Sequence, residues 1–209
     1  MSTLARRLAF WSLLISLLAA RSAPAADYYT IDPQHTSIVF SVAHSGFSYV
    51  YGMFREASGT YRIDKTNPSA SKFRLNIEAN SLFTNNEERD KHLRSADFFN
   101  VQQFPKITFE TTNCNATQTQ DGGVLYQLTG NLTIHGVPKP IEVNLRMLGE
   151  GQGPYKDHRT GFLCQMELKR SDFGMTPTLV DPKLVGDAVG VTVSFEGSLQ
   201  DPSTVPRNP

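Results

Sequence analysis

The side chains of this sequence able to do chemistry are few and scattered. Histidines stand at 35, 44, 92, 135 and 158, and cysteines at 114 and 164. No H-x-x-x-H or C-x-x-C pair occurs, so a zinc site would have to gather ligands from distant segments. No G-x-S-x-G elbow is present; "SGFSY" around Ser48 lacks the required glycines. Asp90 and Asp97 sit in a charge-dense segment and read as helix charges rather than as an acid–base pair. Two residues carry more. His44 falls on the apolar phase near a strand end, where a polar group needs a partner that a ligand head could supply. Arg89 presents a guanidinium that could grip a phosphate with two parallel bonds, and it reads equally well as a solvated helix charge.

The elements that must position these groups are strands. Apolar and polar residues alternate with period two through Ile38–His44, Phe73–Ala79, Val124–Ile134, Ile141–Met147 and Val189–Phe195. Turn signals separate the runs: "KTNPS", "QDGG", "HGVPKP" and "GEGQGP". Eight strands are expected, at 36–44, 49–63, 71–82, 105–114, 124–135, 138–149, 160–171 and 185–199. One short helix is expected between them. Thr84 and Glu87 have capping-box spacing, and the pairs Glu87–Lys91 and Asp90–Arg94 lie four apart. Only Leu93 is strongly apolar, so this helix belongs at a surface or across an opening. The fold class is therefore all-β. Eight long strands in meander order, with no crossover helices, favour an antiparallel up-and-down barrel over a two-sheet sandwich. A barrel of that size either packs solid or holds one small ligand, and periodicity is compatible with both. Aromatics outside the regular strands (Phe47, Tyr49, Tyr51, Phe98, Phe99, Phe104) cluster near the breaks in pattern, where rings often line a mouth.

Residues 1–25 read as a signal peptide. Arg6 and Arg7 precede an apolar run, and Ala23-Pro24-Ala25 fits the cleavage rule, so export to the periplasm is expected. Removal takes Arg6, Arg7 and Arg21. The 20 basic residues less those three, against 20 acidic ones, leave a net charge of −3. An acidic chain without a basic run has no footprint for nucleic acid. Residues 26–199 form one domain, and residues 200–209 read as a disordered Pro-rich tail. In unbroken strands Cys164 would face inward and Cys114 outward, which argues against a bridge unless a bulge reverses the phase.

The stretch "ERDKHLRSADFFNVQQFPKITF" resembles the signature of the YceI-like family of periplasmic polyisoprenoid-binding proteins. "DPQHTSIVFSVAHSGFSYVYGMF", "TGNLTIHGVPKPIEV", "RSDFGMT" and "LVGDAVGVTVSFEG" agree with it in order, from about Asp27 to Leu199. The resemblance implies a lipocalin-like barrel with an apolar tunnel. It also implies a bound isoprenoid lipid, such as an octaprenyl phosphate or a ubiquinone-type quinone, as ligand rather than cofactor. A link to stress responses, homodimerisation and transient membrane contact go with it. On that basis the tail contacts are expected from Phe40, Val42, Phe73, Leu75, Ile77, Phe109, Phe162, Val193 and Phe195. Phe98, Phe99 and Phe104 would close the mouth, and His44, Arg89 and His92 would meet the head group. Binding without catalysis is expected. The alternatives are an enzyme acting on an isoprenoid or quinone through His44 or His92, and a solid barrel serving as an interaction module.

Overall fold

The computed structural model describes residues 26–176, 184–201 and 203. The expected signal peptide and most of the expected tail lie outside them. The chain forms β1 (Asp27–His44), β2 (Ser48–Phe54), β3 (Ala57–Ile63), β4 (Lys72–Glu78), the two-residue β5 (Leu82–Phe83), α1 (Glu87–Arg94), β6 (Lys106–Gln118), β7 (Val124–Ile134), β8 (Val137–Gln152), β9 (His158–Lys169) and β10 (Val185–Leu199). Every pairing is antiparallel. The ladder runs from β10 through β9, β8, β7, β6 and β4 to β3 and β1, and β1 closes back on β10. β3 pairs the first half of β1 and β2 its second half, end to end, so together they make one stave of an eight-stave barrel.

β6 and β8 run longer than expected, to Gln118 and Gln152, and three other departures from the expected strands have a local reason. β1 begins at Asp27, because "DPQH" hides a bulge: its register against β10 slips between Ile31 and Thr36, around Pro33, which has no N–H to give the ladder. The second stave is interrupted at Arg55 and Glu56. β4 ends at Glu78, where the chain leaves the β4 ladder in a 3-10 turn (Ala79–Ser81), touches β2 through β5, and rejoins β4 at Lys106, opposite Glu78. A further bulge, between Thr111 and Asn113, reverses the phase of β6. Cys114 therefore points inward like Cys164, contrary to the unbroken-strand reading. Both are buried free thiols. Burial raises both, Cys164 to about 11, so they stay protonated and inert.

The interior divides along the barrel axis. At the end carrying the β3–β4 and β8–β9 connections the barrel is solid. Tyr61 stacks on Tyr29 at 4.8 Å and on Phe73 at 5.4 Å, and meets the edge of Phe162 at 5.4 Å. Phe162, wholly buried, stacks on Phe195 at 5.2 Å. The Tyr61 and Thr160 hydroxyls hydrogen-bond each other inside this plug, and burial pushes Tyr126 up to about 12. Outside the plug, Arg159 ties three segments together by donating to Asp32 (2.8 Å), Asp157 (2.7 Å) and Glu196 (3.0 Å). Hydrogen bonds from His35 and then Arg159 hold the Asp32 carboxyl at about 2. A depressed carboxylate stabilises above its unfolded value of roughly 4 and loses that stabilisation as pH falls through the folded value. Asp32→Asn should therefore lower the thermal midpoint at neutral pH and flatten its decline in acid, as read from melting curves across that range.

Candidate functional site

Above the plug the barrel is hollow. A cavity of about 210 Å³ lies between the walls, lined from opposite sides by residues such as Phe40, Leu75, Leu128, Leu145, Met166 and Val191. Val185 to Phe195 mark its extent along β10. β1 covers the same span in eight steps, Thr36 to His44, which at ~3.3 Å per step and a tilt of about 40° give a depth of about 20 Å. The wall offers no polar surface, so water has none of the partners it needs and the space stays dry. On the scale of ~24 cal/mol per Å³, an unfilled void of this size costs about 5 kcal/mol. A hydrocarbon occupant would recover much of that.

Two glycines keep the bore open. The Phe40 ring lies flat over Gly52, its cross-strand partner; a Cβ there would stand 2.3 Å from the ring. Phe109 lies over Gly130 in the same way, at 2.5 Å. At Gly52 the three nearest atoms all belong to the Phe40 ring, so Gly52→Ala should tip that ring into the lumen before it disturbs the backbone. The expected result is a folded barrel that retains less apolar ligand, measured by extraction and mass analysis. An undiminished ligand content would show that the bore has room to spare.

The break between β4 and β6 is where the helix belongs. β2 meets only β5 on its outer edge among the described residues, and then only at Met53 and Phe54. The segment from Ala79 to Pro105 fills the remaining opening. Its anchoring differs from the expected capping box. Asn86 is the N-cap, accepting from the Arg89 amide at 2.9 Å. Thr84 instead donates its hydroxyl and amide to the buried Asp90 carboxylate at 2.5 and 2.8 Å. Arg94 is taken up by the carbonyls of Asn80 and Leu82, not by Asp90. Held this way, the segment turns Leu93, Phe98 and Phe99 onto the cavity wall. Phe99 meets the Phe54 ring edge-on at 5.6 Å.

All the residues expected to contact a tail line this cavity except Phe104 and Phe162. Phe162 belongs to the plug below. Phe104 clasps the β7–β8 turn instead, edge-on to His135 at 5.0 Å and against Gly136, whose φ of +73° only glycine adopts freely. His135 in turn donates from Nδ1 to the Phe173 carbonyl at 3.2 Å. The residues expected at a polar head do not converge. His44 is exposed on the β1–β2 turn, with Ser45 Oγ 3.3 Å from its Nδ1. Arg89 donates to the Thr84 hydroxyl and carbonyl, both at 2.7 Å. His92 lies 3.1 Å from Asp97 and edge-on to Phe98 at 5.1 Å, one ring away from the lumen. None of the three is on the cavity wall.

Periodicity missed the other side of the mouth. Phe173 and Met175 line it from an irregular segment after β9. Arg170 fixes that segment to the start of β10, donating to the carbonyls of Met175 (2.6 Å), Gly186 (3.0 Å) and Val185 (3.2 Å). The only hint was "RSDFGMT", a block without alternation.

The sequence matches the YceI-like domain model over residues 29–197. The UPF0312 protein of Azotobacter vinelandii is 40% identical over 199 residues, covering 94% of this chain and all of that one. Among solved structures, Burkholderia cenocepacia BcnA superposes with a TM-score of 0.70 at 18% identity, over 79% of this chain and 98% of that one. A polyisoprenoid binding domain from Saccharophagus degradans, implicated in plant cell wall breakdown, superposes at 0.63 and 18% identity, over 82% and 98%. The closed barrel, the helical insert that completes its wall and the match over nearly all of the described residues agree: this chain belongs to the YceI-like family.

Proposed function

We propose that this protein binds a long polyisoprenoid lipid inside the barrel and acts as a carrier, store or stress-related sensor of it in the periplasm. One observation carries the reading: a cavity of about 210 Å³ with an apolar surface, set above an aromatic plug. The polyisoprenoid-binding neighbour from Saccharophagus degradans supports it, as do the signal-peptide features of residues 1–25. An isoprenoid tail is nearly pure hydrocarbon and asks for such a wall. Burial is worth ~0.8 kcal/mol per CH₂, so a chain of dozens of carbons does not pass through water at a useful rate. Its head, whether the phosphate of an octaprenyl phosphate or the ring of a ubiquinone-type quinone, would remain at the mouth. There His44, Arg89 and His92, although none is on the cavity wall, would approach it from the hairpin and the helix, and Lys169 and Arg170 are the basic residues that line the cavity near its mouth.

Binding rather than catalysis is the reading because the wall supplies hydrocarbon and no paired nucleophile and base. The thiol on the wall, Cys164, is held protonated by its burial. No helix among the described residues is long and apolar enough to cross a membrane. Homodimerisation and transient membrane contact complete the proposal. The test is delipidation and reloading. Protein stripped of bound lipid should melt earlier, and a prenyl lipid should restore the midpoint while glucose or a short-chain alcohol does not. A midpoint indifferent to prenyl lipid would refute the reading.

A further inference from the structure

The hairpin joining β1 and β2 has a surface that lipid storage alone does not require. From Ile38 to Phe54 it contains no Asp, Glu, Lys or Arg. Its turn is tight, with Ser45 and Gly46 at φ of +53° and +72°. Phe47 projects from the tip at 93% exposure, and Tyr49 and Tyr51 stand on the outer face of β2 at 64% and 65%. The Ser45 amide donates to the Leu184 carbonyl at 2.8 Å, which sets a second exposed apolar side chain beside the tip. Directly below, Val42 and Val185 line the cavity.

We propose that this hairpin docks the protein on a lipid bilayer, with Phe47 entering the acyl boundary and Tyr49 and Tyr51 at headgroup level, so that the cavity mouth opens onto the membrane. The inference rests on the lipid-binding reading and adds the route by which ligand arrives. A tail that cannot cross water must pass straight from bilayer to cavity, which requires the mouth to touch the bilayer. Aromatic side chains with a polar edge favour that interface. The opposite end provides the contrast: Tyr155 is exposed there too, but beside Lys156 and Asp157 and close to the Glu150–Lys65 and Arg159 ion pairs, which keep that end in water. A second copy of the chain fits the tip less well. A stable dimer buries about 800 Å² per partner, and a projecting tip with a few side chains does not offer a flat patch of that size.

The test uses the mature protein with its native ligand, phosphatidylcholine vesicles as probe, and three readouts: flotation with vesicles, retained lipid by native mass spectrometry, and sedimentation. Wild type should float with the vesicles. Phe47→Ser should reduce partitioning about tenfold or more and slow transfer of a fluorescent prenyl lipid from vesicles, with retained lipid unchanged. Adding Tyr49→Ser and Tyr51→Ser should deepen the loss, and Tyr155→Ser should have no effect. The proposal is overturned if wild type does not float, if Phe47→Ser floats equally, or if Tyr155→Ser loses as much. A dimer that Phe47→Ser dissociates, without vesicle binding, overturns it in favour of a second copy. Failure of the lipid-binding reading looks different: no lipid would be found in either protein, whatever the vesicles do.

Discussion

Phe98→Asp is expected to empty the barrel while leaving it folded. Phe98 is 8% exposed, and its ring forms cavity wall on the inner side and carries His92 on the outer. A carboxylate in that position faces a surface with nothing to hydrogen-bond it, and the desolvation penalty is several kcal/mol. The insert must then swing outward, or the charge must sit in the lumen; neither arrangement retains a hydrocarbon tail. The ladder is spared because Phe98 lies on the segment spanning the gap, not on a stave. That segment is also tied down independently by Arg94 on Asn80 and Leu82 and by Asp90 on Thr84. The expected measurements are a β-type far-ultraviolet spectrum like that of wild type and no lipid in the organic extract. Phe98→Leu, which keeps an apolar wall, should retain lipid. Full lipid retention by Phe98→Asp would mean that this segment is not part of the wall in solution.

The second large effect is on stability. Phe162→Ala removes the fully buried ring around which Tyr61, Phe73, Tyr126 and Phe195 are arranged, with centroids between 5.2 and 6.0 Å away. A Phe→Ala change in a core costs about 3–5 kcal/mol. Against a total of about 5–15 kcal/mol that is a large fraction. At about 2–4 °C per kcal/mol for a chain of this size, the thermal midpoint should fall by on the order of 10 °C. Phe162→Leu should fall much less. Because the plug closes the cavity floor, the alanine variant should also admit an apolar fluorescent probe from the closed end. A midpoint within ~2 °C of wild type would show that the rings do not pack as a unit.

Period-two alternation was sufficient to read the staves, because one face of each is apolar for most of its length. It failed where the ladder carries an extra residue. The first strand was expected to begin only at residue 36, and the bulge before Asn113 reversed Cys114, since inserting one residue moves every later side chain to the other face. The helix was legible from its charge, but its anchors were not: Thr84 looked like a cap and is instead a buried partner of Asp90. Phe98, Phe99 and Phe104 looked alike on an irregular segment. Which ring faces the lumen depends on how the segment is pinned to distant strands, and Phe104 is claimed by His135 and Gly136. The most important feature, the division of one continuous apolar face into solid plug and hollow bore, has no periodic signature at all. Phe73 and Phe109 share the inward phase, yet one stacks in the plug and the other lies flat on a glycine. Only closure of the barrel sets how far apart opposite walls stand.

The central claim is that the hollow half holds a lipid. Native mass spectrometry of the purified protein, followed by organic extraction, tests it most directly. The account predicts a chain carrying one predominantly hydrocarbon lipid, released intact into organic solvent. A bare chain that also fails to take up an added prenyl lipid would contradict it.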